Sequence, residues 1–91
     1  MKRIFVLINH RLGNSNSPKF ERAFKKDTGI RARYLETVQC SQPSVYDATL
    51  IDVHPDDMEK MLAIVDGTSI LNWNEIDRKA FPRSVINKYH L

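Results

Sequence analysis

Ninety-one residues suffice for one domain and not for two, and a chain of this size buries roughly 60–65% of the surface it exposes when unfolded. Apolar residues at 42%, charged residues at 27%, and only 3 Gly and 4 Pro exclude a disordered or collagen-like chain. The single cysteine, Cys40, excludes an internal disulfide framework and a Cys-rich zinc site, and a formal charge of +3 leaves the chain mildly basic.

Residues 2–8, Lys-Arg-Ile-Phe-Val-Leu-Ile, read as a strand. Ile4, Val6 and Ile8 fall on one face and Phe5 and Leu7 on the other, so this strand belongs inside a sheet covered on both sides. A turn-rich loop over 9–17 follows, containing His10 and Gly13. Ser17-Pro18 starts a helix, with Ser17 as the cap and Pro18 at the first helical position, where its missing N–H has no partner to lose. Phe20, Ala23 and Phe24 form the apolar stripe, and Lys19, Arg22, Lys25 and Lys26 fill the other face. Thr28-Gly29 ends the helix, because glycine suits the left-handed position after the last turn.

Residues 30–38 read as a second strand, with Arg31, Arg33, Leu35 and Thr37 on one face and Ala32, Tyr34, Glu36 and Val38 on the other. Beyond a polar loop with Pro43, residues 46–53 form a third strand. His54-Pro55-Asp56-Asp57 starts a second helix, with both acids at its positive end. Met58, Met61, Leu62 and Val65 make its apolar stripe, and Gly67 stops it. Residues 68–73 give a short last strand. Asn74 is placed to cap a short helix over 75–80, Pro82 breaks it, and 83–91 continue as a helical turn or an arm.

This order of elements points to an α+β domain of the ferredoxin-like type: a βαββαβ antiparallel sheet with two helices on one face over residues 1–73, followed by a C-terminal extension over 74–91. A small Rossmann-like α/β domain is the alternative, since buried parallel strands share this two-sided apolar character. The ferredoxin-like layout leaves one sheet face open, yet the first and third strands are apolar on both sides. Trp73 with the segment behind it, carrying Ile76, Phe81, Val85 and Ile86, or a second subunit in a homodimer, is therefore expected to cover that face.

Charge is segregated along the chain. Residues 1–45 carry nine Lys/Arg and three acids, residues 46–77 one Lys and eight acids, and residues 78–91 four Lys/Arg and no acid. Local fields of this kind select partners, although basic and acidic blocks also attract each other within a fold. Lys19, Arg22, Lys25, Lys26, Arg31 and Arg33 place six positive charges within fifteen residues, with Tyr34 beside them. Basic groups neutralise phosphates, and an aromatic face stacks on bases.

Two further sets carry weaker chemistry. Asp52, His54 and Asp56 stand at a strand–helix junction and are of the types that hard divalent ions use, but the same residues also read as a helix start. His10, just after the first strand, has the pKa range of a general acid or base. No nucleophile triad, paired-histidine metal motif or phosphate-binding glycine pattern occurs. A lone Cys40 reads as a packed residue.

The expectation is a small non-enzymatic binding or regulatory module without a cofactor. Its basic surface, Lys19, Arg22, Lys25, Lys26, Arg31, Arg33 and Tyr34, engages nucleic acid or an acidic face of a nucleic-acid-handling protein. The alternatives are a metal-dependent phosphodiester hydrolase built on Asp52, His54 and Asp56, and a dimeric small-molecule-binding module with His10 at its ligand. The five apolar residues 4–8 are too few for a signal-peptide core, and no stretch approaches the ~20 apolar residues of a membrane span, so a cytoplasmic protein without membrane contact is expected.

Overall fold

The computed structural model of the chain describes residues 2–8, 17–41, 45–65 and 69–91, with Ser17 by its backbone alone. The strands are β1 (Ile4–Ile8), β2 (Ala32–Cys40), β3 (Tyr46–Val53) and β4 (Ile70–Asn72), and the helices are α1 (Ser17–Thr28), α2 (Met58–Val65) and α3 (Arg83–Lys88). The strands form one sheet in the order β2-β3-β1-β4. Every pairing is antiparallel: β1 with β3, β1 with β4, and β2 with β3. The molecule is therefore an α+β domain, and the Rossmann-like alternative, which needs central parallel strands, is set aside.

The two-sided strands generate two apolar layers. On one face Phe5 and Leu7 of β1 and Ile51 and Val53 of β3 pack with Phe20 and Phe24 of α1 and Met61 of α2. On the other, Val6, Val38, Ala48 and Leu50 pack with Trp73, Ala80, Phe81 and Val85. Both longer helices thus lie on the first face, and the segment from Trp73 onward covers the second. Trp73 and Phe81 meet edge to face, with ring centroids 5.1 Å apart. Burying each such side chain is worth about 1.5–3 kcal/mol, so the tail carries a large share of the core. The apolar demand on the second face, which argued for a homodimer, is met within one chain.

Local signals account for most boundaries. α1 ends at Gly29, whose φ of 74° is the left-handed conformation that glycine adopts at least cost. The Gly29 amide donates to the Lys25 carbonyl at 2.7 Å, and the Thr28 hydroxyl donates back to the Phe24 carbonyl at 2.6 Å. Ala23 is exposed, so Phe20 and Phe24 supply the buried apolar contacts of α1.

Several expectations are corrected. The second helix opens with a 3-10 turn, Pro55–Asp57, and becomes α-helical at Met58; Leu62 is 42% exposed and lies outside its buried stripe. β2 runs two residues later than the pattern suggests, and its strict alternation fails. The β2–β3 register shifts between Tyr34 and Glu36, so two residues of β2 span one step of β3. As a result Ala32 and Tyr34 pack on the helix side, whereas Leu35 and Val38 pack on the tail side. No helix over 75–80 forms with Asn74 as its cap. Instead Asn72 accepts from the Asn74 amide at 3.0 Å to start a 3-10 turn over Trp73–Glu75, and Asp77 accepts from the Lys79 amide at 3.0 Å to start another over Arg78–Ala80. Asn72 also donates to the Lys2 carbonyl at 2.8 Å, which ties the start of the tail to the chain's first strand.

Candidate nucleic-acid interface

The basic residues of α1 and of β2 meet because α1 runs into β2 through the tight Gly29 turn. Glu21 fixes this approach: its carboxylate accepts the Tyr34 amide of β2 at 3.0 Å. Arg22 and Lys25, one helical step apart, then line a cleft of about 290 Å³ with Pro18, Glu21, Arg31 and Ala32. Glu21, Arg31 and Ala32 also line the adjoining cleft of about 380 Å³, with Arg3, Arg33, Asp52, Val53, His54 and Pro55. The two clefts thus share Glu21, Arg31 and Ala32 and lie side by side in one groove region.

The cations in this groove are not equivalent. Arg31 is held by Asp57, whose carboxylate accepts from the Arg31 amide at 2.8 Å and from its Nε at 2.9 Å. Asp57 is buried, and the two Arg31 hydrogen bonds hold its pKa down to about 2. The Arg31 guanidinium is held above its ordinary value by the same hydrogen bond. Arg33, opposite Asp52 in the β2–β3 register, brings its Nη to 3.7 Å from that carboxylate, and Arg3, just before β1, brings its Nε to 3.4 Å. Asp52 Oδ1 is buried and accepts no hydrogen bond among the described residues, so its contact with Arg3 is electrostatic. Arg22, Lys25 and Lys26 are exposed and have no ion-pair partner among the described residues. Lys19 is exposed on the same helix. The strand arginines are thus largely compensated by the acidic block, and the open positive field belongs to α1.

The remaining sequence candidates occupy other settings. Tyr34 packs its ring on Phe20 at 5.8 Å and shares a hydrogen bond of 3.0 Å with the Thr37 hydroxyl, so it is part of the half-buried layer under α1. Thr37 in turn bonds Thr49 at 2.9 Å. His54 Nδ1 accepts the Asp56 amide at 3.1 Å and so caps the turn that precedes α2. Among the described residues no three His, Cys, Asp or Glu side chains gather into a metal set; of Asp52, His54 and Asp56, His54 Nδ1 comes within 3.8 Å of Asp56, without Asp52 completing a group of three. His10, and the Ser17 side chain read as a helix cap, lie outside the described residues. Cys40 is fully buried; burial pushes its thiol up, against a hydrogen bond with Tyr46 that favours the thiolate.

Sequence reasoning missed Arg3 and Glu21. Arg3 joins the groove because the chain just before β1 lies against the end of β3, where the Val53 amide donates to the Arg3 carbonyl at 2.9 Å, and no local pattern encodes that. Glu21 lies one residue from the basic face and was visible as the sole acid in the first half of α1. Against protein-family models, curated proteins and solved structures, the chain finds no match.

Proposed function

We propose that the chain is a small non-enzymatic binding module of ferredoxin-like type that engages the phosphate backbone of nucleic acid through the basic face of α1. The strand order β2-β3-β1-β4 and the placement of α1 and α2 on one face support the ferredoxin-like reading. The observation that carries the function is the exposed set Arg22, Lys25 and Lys26, with Arg22 and Lys25 turned into the Arg31 cleft and no carboxylate of the chain taking them up among the described residues.

Sheet-surface RNA binders of this general shape stack bases on aromatic side chains of an open sheet face. Here that face lies under Trp73, Phe81 and Val85. Charge, not base stacking, is then the main source of affinity, and binding is tolerant of sequence and steep in salt. Titration of single- and double-stranded DNA and RNA at two salt concentrations tests this. The expected log–log slope is about −0.7 to −0.9 per phosphate neutralised. Reversal of Arg22, Lys25 and Lys26 to Glu removes binding and leaves the fold intact. Absence of binding to every nucleic acid at low salt overturns the reading. Binding to polyglutamate alone transfers the same face to an acidic protein surface.

A further inference from the structure

The second basic block of the chain folds onto the sheet face opposite α1. The Arg78–Ala80 turn sits at the far end of β2, where the Ser41 amide donates to the Ala80 carbonyl at 3.3 Å. α3 and the residue after it return to the middle of the same strand: the Tyr89 hydroxyl donates to the Leu35 carbonyl at 3.3 Å, and Lys88 Nζ to Glu36 at 3.3 Å. Between the turn and α3 lies a cleft of about 570 Å³, lined by Arg78, Lys79, Phe81, Arg83, Ile86 and Asn87. That volume falls within the range of about 300–1,000 Å³ usual for ligand sites.

The charges here are open. Lys88 is engaged by Glu36, but Lys79 and Arg83 are exposed and have no ion-pair partner among the described residues. The nearest acid in sequence, Asp77, accepts the Lys79 amide with its carboxylate. Arg78 donates to the Leu91 carbonyl, which fixes its guanidinium at the rim. β2 is an edge strand, so the α1 cations and the tail cations stand on either side of one sheet edge. Arg33, on that edge strand, has a side chain 71% exposed.

We infer that the cleft between the Arg78–Ala80 turn and α3 is a second phosphate-binding site, and that a single-stranded nucleic acid bound at α1 reaches it around the β2 edge. This rests on the nucleic-acid reading of α1. Through the sheet the two sites are about two layer spacings, roughly 20 Å, apart, and they are also offset along β2 by about 3.3 Å per residue, from Ala32 beside the α1 cleft toward Ser41 beside the tail turn, with a turn around the edge between them. A flexible single strand makes that turn; duplex DNA, with a persistence length of about 150 base pairs, does not.

The test compares a single-stranded oligonucleotide of about 20 nucleotides, longer than the sites usual for small single-strand-binding domains, with its duplex. The full chain, K79E/R83E, the milder K79Q/R83Q and R22E/K25E are titrated over a salt series, with amide NMR spectra to confirm that each is folded. The expected result is tighter binding of the single strand than of the duplex. Each reversed pair should weaken it and flatten the salt slope by about 1.5, the loss of two phosphate contacts. Parental affinity and slope in both tail variants, with R22E/K25E weakened, would overturn the second site and leave the α1 reading standing. Duplex binding as tight as single-strand binding would overturn the path around the edge. Failure of the parent to bind either form would remove the nucleic-acid reading itself.

Discussion

Asp57 shows how one carboxylate can organise a junction between elements. It receives both the backbone and the side chain of Arg31, and so joins the start of β2 to the turn that opens α2. Its folded-state pKa, about 2, lies below the ordinary value of 3.8. A depressed carboxylate contributes stability that is fully present above its unfolded value and is lost as pH falls through the folded one. Urea unfolding of Asp57→Asn should therefore show a deficit against the parent that is largest at neutral pH. That deficit should shrink between about pH 4 and pH 2. A deficit independent of pH would mean that packing, not the ion pair, is lost. Lys88 is the smaller counterpart: Glu36 holds its ammonium above the ordinary lysine value and fixes α3 to β2.

Among the elements, those marked by local chemistry were readable and those set by register were not. Gly29 and His54-Pro55 punctuate the chain, and the two-sided strands β1 and β3 already imply cover on both faces. Gly29→Ala has open space around the added Cβ, so its cost comes from the backbone alone. Thermal or urea unfolding should show a loss of about 1 kcal/mol. A loss near zero would mean that α1 ends differently. The bulge at Leu35 and the pairing of Arg33 with Asp52 depend on which residue stands opposite which, and the Arg3–Asp52 and Arg31–Asp57 pairs depend on long-range packing; a single sequence states neither. For this reason the six cations of the basic stretch were legible, while the contrast between Arg31 and Arg33, paired with acids, and Arg22, Lys25 and Lys26, unpaired among the described residues, was not. Truncation after Trp73 removes Ala80, Phe81 and Val85 from the second face. The shortened chain should aggregate or unfold, as seen by light scattering and circular dichroism. A soluble, folded monomer would show that the tail is an accessory to the sheet.

At the scale of the whole molecule, the segregated charge of the sequence becomes a spatial arrangement. The acidic middle supplies Asp52, Asp56 and Asp57 to the strand arginines, and the two basic blocks are brought to one edge from opposite faces. That edge has one further property. An exposed edge strand offers its unpaired amides and carbonyls to any other strand, which is how sheets of separate molecules join into ladders. On β2 the Tyr34 amide is taken by Glu21 and the Leu35 carbonyl by Tyr89. Just past its end, the Ser41 amide is taken by Ala80. The bulge between Tyr34 and Glu36 breaks the regular spacing that a neighbour would have to match. The groups that hold the tail and α1 in place thus also protect the protein from its own copies. Glu21→Ala, which releases the Tyr34 amide, should form particles over days at a concentration where the parent scatters no light; a variant that stays clear would leave the bulge as sufficient protection by itself.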